Sequence, residues 1–318
     1  MANTINYAEK WQPEILEILN QNTITSPFIA DADSVEWTGA KTLHFTQAAT
    51  SGFKAHSRDG GWNKGNVTQS DVDYTIEHDR DISFLVDRID VDESNGTASI
   101  DNVSKVFTAT QEAPEVDARF FERVYNAAST NTLAEELDVS TLTKDNVLST
   151  IKNFMLKGKL RRYIARGSLI AYVTSEIMNM LELSTESKLK VELTTIADGG
   201  IGIETRVTNI DGVYLFEVID DERFYSKFDY TDGFEAASDA KALAIVFAST
   251  DVVKTVPKTN AIYIKKAGEH TVGDGDWYAN RSMWDTFVFP NGKDGKIEGI
   301  YVITKKATTS TEPEDNLE

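Results

Sequence analysis

The stretch from Lys41 to Phe84 limits the fold more than any other. Apolar and polar residues alternate at Leu43 and Phe45, again at Val72, Tyr74 and Ile76, and past a polar break at Ile82 and Phe84. Between them runs a turn-rich segment, Ser51 to Asn66, with four glycines. The pattern predicts a long two-stranded excursion with a glycine-rich tip. A two-stranded hairpin is only marginally stable in water, and no nearby segment offers it a surface to lie on. Its tip holds Phe53 and Trp62, large apolar groups that an isolated loop avoids exposing. Burying one such side chain is worth roughly 1.5–3 kcal/mol, which predicts docking on a neighbouring molecule. The tip also carries Lys54, Arg58 and Lys64 against Asp59, whereas acids dominate the stretch from Asp71 to Asp101. A positive finger on an acidic chain can be steered to the acidic surface of another copy. A solvated surface loop is the other reading of the same charges.

The rest of the chain is predicted to mix helices and strands. Pro13 opens a short helix through Ile15, Leu16, Ile18 and Leu19 in an N-terminal arm. Ile100, Val103 and Phe107, then Val116, Phe120, Val124 and Ala127, recur at helical spacing on either side of Pro114. This predicts one long helix kinked near Pro114, or two abutting helices. A further helix is expected from an N-cap at Thr143 to Gly158, another over 175–183, and one opening over 238–243. Strands are expected over 168–173, 211–218, 243–247, 261–264, 286–289 and 297–303. The tail from Ala307 to Glu318 is polar, and the expectation there is disorder.

Composition removes several classes of function. The chain has 318 residues and 41% hydrophobic content, enough to bury a real core. Cysteine is absent, which excludes disulfides, thiolate nucleophiles and Cys-ligated metals. Neither an export signal nor an apolar membrane span is read from the sequence, so no membrane partner is expected. The 51 acids against 32 bases give a net charge of −19, which argues against tight, non-specific binding to nucleic acid.

Candidate chemistry is sparse. Glu77-His78-Asp79-Arg80-Asp81 is the densest titratable cluster, yet on a strand His78 would share a face with Arg80 and not with the acids. An ion-paired surface or subunit contact is therefore expected for Asp79, Arg80 and Asp81. Gly273-Asp274-Gly275-Asp276-Trp277 lacks the ordered ligands of a calcium loop and reads as a tight turn. Asp198-Gly199-Gly200-Ile201-Gly202 completes no phosphate-binding motif and reads as a flexible hairpin. His44, His56 and His270 have no ligand spacing. No catalytic residue, metal site or cofactor is assigned.

The order of elements, together with Ser26-Pro27-Phe28, Gly39-Ala40-Lys41-Thr42, Gly60-Gly61-Trp62-Asn63, His78-Asp79-Arg80-Asp81 and Pro114-Glu115-Val116-Asp117-Ala118, resembles the HK97-fold major capsid proteins of tailed bacteriophages, those of phages infecting Gram-positive bacteria in particular. The resemblance runs from about Asn3 to Val302. It implies an α+β fold with an N-terminal arm over 1–40, an extended loop over 41–84, a peripheral domain with a long spine helix over 85–136 and 256–304, an axial domain over 137–255 and a flexible tail over 305–318. It further implies pentamers and hexamers in an icosahedral shell around double-stranded DNA, assembled in the host cytoplasm and located in the virion. The extended loop would reach across an adjacent subunit through Phe53, Lys54, Arg58, Trp62 and Lys64. The short arm points to a separate scaffolding protein, and a portal is the other expected partner. An acidic lining would let the packaged genome slide without being gripped. An encapsulin-like nanocompartment shell has the same implied fold. A cytosolic hydrolase or metal-dependent enzyme is the reading from another class, and it requires the scattered histidines and acids to converge.

Overall fold

A computed structural model describes residues 18–19, 22–30, 37, 39, 41–56, 62–87, 89, 93, 99–184, 207–271, 273–292 and 295–306. These fall into two compact units, one within Met1–Arg123 and Thr250–Glu298, the other within Val124–Thr194, Thr205–Ser249 and Gly299–Glu318. The second begins at Val124 and includes the strand over 300–305, both of which the expected partition places in the peripheral domain.

In the first unit, β1 (Thr42–Thr50) and β2 (Val67–Thr75) pair antiparallel along their whole length, from Thr42 opposite Thr75 to Thr50 opposite Val67. The alternation beyond the polar break does not prolong this hairpin, as the sequence suggested. β3 (Asp79–Asp87) instead joins β12 (Gly275–Val288), which pairs in turn with β11 (Val253–Lys265). The reason is Ile76, which turns inward at the break and packs with Leu43, Val256, Met283 and Phe287. The hairpin therefore has a hydrophobic root, which corrects the expectation that nothing nearby supports it.

Helix α1 (Ile100–Phe107) runs through a π-turn (Thr108–Glu112) into α2 (Ala113–Thr130). Pro114 donates no backbone hydrogen bond and crowds the turn before it. The chain relieves this by one wide turn, in which Ala113 N–H reaches back to Thr108 O. Ile100 packs on Ile262 and Tyr278 with Phe84, Val86 and Ile264 around them. Phe28, within the short 3-10 helix Ser26–Phe28, lies 4.7 Å from Phe120 by ring centroid. Of the helix expected in the arm, Ile18 and Leu19 are helical and the remainder lies outside the described residues.

The second unit is built on a six-stranded sheet in the order β4-β13-β10-β5-β7-β6, comprising β4 (Ala134–Leu137), β5 (Leu169–Thr174), β6 (Val207–Ile210), β7 (Val213–Val218), β10 (Leu243–Ser249) and β13 (Ile300–Lys305). Every residue of β5 and β10 is buried, as expected of a continuous apolar run in a central strand. Helices α3 (Val147–Phe154), α4 (Leu160–Ile164) and α5 (Ser175–Glu182) accompany it, and β8 (Phe228–Asp229) and β9 (Glu235–Ala236) form a small ribbon of their own.

Two helix predictions need correction. Residues 238–242 form a turn, because Ser226 and Leu243 N–H groups bond to Lys241 O and Phe224 O, committing this backbone to bridges that a helix would break. Helix α3 starts at Val147, not after Thr143: the Asn146 side chain accepts the Thr143 N–H at 2.7 Å, tightening the turn before the helix. It ends at Phe154, and Gly158 sits four residues beyond in a left-handed conformation where a Cβ would lie 2.8 Å from Ile300 O.

Gly299 is confined in the same way. Its φ is +87° and a Cβ would meet the Tyr163 ring at 2.7 Å. Gly299→Ala is expected to destabilise the second unit by about 1–3 kcal/mol, read as a lower urea midpoint with an unchanged slope.

Candidate functional site

The hairpin and its root form the candidate site. Among the tip residues named from the sequence, Phe53 and Trp62 are fully exposed, at 112% and 95% relative accessibility. Lys54 and Lys64 are exposed beside them, and Lys54 Nζ donates to Lys64 O at 3.2 Å. Asn63 Nδ2 donates to Ala55 O at 2.8 Å, and Ser51 and Asn66 close the base of the tip through N–H to O and N–H to Oγ bonds of 2.9 and 2.8 Å. The tip backbone is thus cross-linked while its aromatic side chains touch no core. Arg58 lies outside the described residues.

At the root, the strand period separates the 77–81 cluster onto two sides. His78 Nε2 and Arg80 Nε both meet Glu115 Oε1 on α2, at 2.7 and 2.9 Å. Asp79, on the other side, accepts both ends of the Arg281 guanidinium at 3.0 Å and Lys41 Nζ at 2.9 Å. The hydrogen bonds from Arg281 and Lys41 push the Asp79 carboxyl down to about 2. Asp81 is exposed and stands opposite Arg281 across the β3–β12 ladder.

Sequence reasoning missed three buried carboxyls. Asp117, fully buried, accepts Ile24 N–H at 3.2 Å, Thr25 N–H at 3.0 Å and Thr25 Oγ1 at 2.7 Å, tying the N-terminal segment to α2. Asp285, also fully buried, accepts from Arg119 Nε at 3.0 Å, Arg123 Nη2 at 2.8 Å and Glu77 N–H at 3.1 Å. Burial alone would raise the Asp285 carboxyl, but the bonds from Arg123 and Arg119 outweigh it and hold it below the ordinary range. Glu112 closes the π-turn and is buried against β12, where Asn280 Nδ2 donates to it at 3.2 Å. Desolvation pushes this carboxyl up to about 7, aided by the charge of Glu115 and opposed by hydrogen bonds from Asn280 and Thr108. The Glu115, Arg119, Arg123 spacing of four was the legible signal for the helix face that holds the root; nothing local marks Asp285 as its partner.

His56 is exposed at the tip, and His270 Nε2 bonds to Gly275 O at 2.8 Å where the β11–β12 turn ends. The His44 side chain and the segment 198–202 lie outside those described. Among the described residues no group of three or more His, Asp or Glu is placed to hold a metal ion, and no helix is long and apolar enough to cross a membrane.

Two measurements check these assignments. Glu112 is held neutral in the fold above the pH at which it ionises in the unfolded chain, so its contribution is full below about pH 4.5 and fades as pH rises to 7. Glu112→Gln is expected to remove on the order of 2 kcal/mol of that decline, measured as urea stability across pH 4.5 to 8. Asp285→Asn removes the buried carboxylate on which two guanidinium groups converge, leaving them Glu77 and Glu122, and is expected to cost about 2 kcal/mol, seen in the same assay at pH 7.

No family model matches the chain, and no curated protein sequence matches it. Solved structures do. The capsid of cyanophage P-SCSP1u is 12% identical, with 86% of each chain covered and a TM-score of 0.56. The mature capsid of bacteriophage PhiM1 is 12% identical, with 84% of this chain and 83% of that chain covered and a TM-score of 0.54. A structure from Mycobacterium phage Ogopogo is 8% identical, covering 89% of this chain and 92% of that one at a TM-score of 0.55. The α+β architecture is the HK97-type fold of phage capsids.

Proposed function

We propose that this chain, with its HK97-type fold, is the major capsid protein of a tailed bacteriophage: a subunit that self-assembles into pentamers and hexamers of an icosahedral shell around packaged double-stranded DNA. The observation that carries this reading is the hairpin. Its root is buried and ion-paired, whereas its tip presents Phe53 and Trp62 to solvent. Side chains of that size are worth roughly 1.5–3 kcal/mol each when covered, and a second copy repeated through a closed lattice covers every one of them.

In this reading the β1–β2 hairpin is the extended loop, the three-stranded sheet and helices α1 and α2 belong to the peripheral domain, and the six-stranded sheet belongs to the axial domain. Lys54, Lys64 and Arg58 steer the tip to an acidic neighbour. Asp79 and Arg80 are engaged within their own chain, which makes the exposed Asp81 the member of that trio best placed to meet another copy. A separate scaffolding protein, a portal and host-cytoplasmic assembly complete the proposal, and the role calls for no catalysis. The net charge of −19 supports a lining over which DNA slides.

Electron microscopy of the purified chain, alone and with a co-expressed scaffold, is expected to reveal shells or rings. Phe53→Ser with Trp62→Ser is expected to abolish them while moving the melting temperature by no more than about 2 °C, since neither side chain packs in the subunit. A strict wild-type monomer under all conditions would overturn the proposal.

A further inference from the structure

The second unit has an uneven charge distribution that neither the fold nor the hairpin accounts for. Between Asp145 and Glu176 the sequence contains no acid at all, although one residue in about six is acidic over the whole chain. Within that gap stand Lys152, Lys157, Lys159, Arg161, Arg162 and Arg166. Lys152 pairs with Asp211 and Lys157 with Glu135, and the side chains of Lys159, Arg161, Arg162 and Arg166 reach the surface. The excursion from Ile219 to Ala242 has the opposite character: Asp220, Asp221, Glu222, Asp229, Asp232, Glu235 and Asp239 against Arg223, Lys227 and Lys241. Asp220 pairs with Arg223, and Asp239 with Lys227 at 2.8 Å, leaving Asp221, Glu222, Asp232 and Glu235 exposed around them.

Sheet topology puts these segments at opposite ends. The basic segment leads into Leu169, the first residue of β5, which is opposite Ser249, the last of β10. Gly158 O accepts Gly299 N–H just before β13 begins, so the basic segment sits where β5 and β13 start. β7 runs parallel to β5, with Val218 beside Thr174, so the acidic excursion leaves the sheet at the far end and returns there through Leu243. The length of β5 separates them by about 17 Å, too far for the two segments of one chain to pair.

Each end also bears a large apolar side chain in water. Leu156 is 56% exposed next to the cations, and Ile219 is 60% exposed next to Asp220, Asp221 and Glu222. An apolar centre rimmed by charge is the usual anatomy of a protein interface, and here the two rims are of opposite sign. We infer that the basic end of the second unit, Leu156 with Lys159, Arg161 and Arg162, docks on the acidic end, Ile219 with Asp221 and Glu222, of another copy of this chain. Such a contact is head to tail, and head-to-tail contacts close into rings. Like charges at matching ends oppose the wrong orientation. The inference rests on the shell reading above and names a contact within its rings that is separate from the hairpin tip.

The test uses full-length protein and two charge-reversed variants, Arg161→Glu with Arg162→Glu, and Asp221→Lys with Glu222→Lys. Each alone is expected to reduce rings or shells by about tenfold or more at 0.15 M salt, with circular dichroism and melting temperature unchanged. Mixing the two variants is expected to restore six-membered rings, in which acidic-ended copies alternate with basic-ended ones, but not five-membered rings or closed shells, since an odd ring cannot alternate. The chain carrying all four substitutions is expected to assemble by itself. Unimpaired assembly of either two-site variant overturns the contact while leaving the shell reading intact, whereas a monomeric wild-type chain overturns the shell reading first. Binding of wild-type subunits to duplex DNA that Arg161→Glu with Arg162→Glu abolishes without affecting assembly would make the basic end a nucleic-acid surface and also overturn the inference.

Discussion

One face of helix α2 holds the first unit's working parts in place. Glu115, Arg119 and Arg123 recur every four residues, so they line one side of the helix. Together they meet His78, Arg80, Glu77 and the buried Asp285. Those partners occupy the link between β2 and β3, the start of β3 and the closing residues of β12 before Val288. The direction in which the hairpin leaves the unit is thereby set by charged contacts with fixed geometry. Apolar packing at Leu43 and Ile76 supplies cohesion but little directional constraint. Glu115 and Asp285 each meet two basic side chains and Arg119 and Arg123 each meet more than one acid, so the charges are held as a network and not as isolated pairs.

The same helix shows how a local defect is absorbed. Pro114 cannot continue an ordinary turn, and the chain answers with a π-turn that carries Glu112 inward against β12. A carboxyl placed there is poorly solvated and retains its proton well above the ordinary range for glutamate. On the opposite side Asp117 receives the N-terminal segment through backbone and hydroxyl donors. Three carboxyls within six residues thus take three different electrostatic roles, set by what each one faces.

A subunit so arranged is rigid where it is charged and buried, and incomplete where it is apolar and exposed. The aromatics of the hairpin tip, and Leu156 and Ile219 at the oppositely charged ends of the six-stranded sheet, are exposed in the single chain. In the proposed shell both surfaces would be covered, because identical chains surround each other and each copy can supply the complementary face to the next.

The periodicity of the sequence by itself determined much of the architecture. Period-two alternation marked β1 and β2, the run of apolar residues marked β5 and β10, and the three- and four-residue spacing marked the helix on both sides of Pro114. The exposed tip aromatics were legible because a glycine-rich segment has nothing of its own to cover them. The assignment of β3 to a different sheet was not legible, since its alternation continues that of β2 and only the burial of Ile76 against Val256 and Met283 breaks the run. Nor was the turn over 238–242, where helix-forming residues yield to bridges with Phe224 and Ser226. Asp285 and the paired roles of Glu115 and Arg80 depend on partners up to 208 positions away. Local pattern reports which face of an element is apolar, whereas the identity of what covers that face is decided by the contacts between distant segments, and only the tertiary structure contains those.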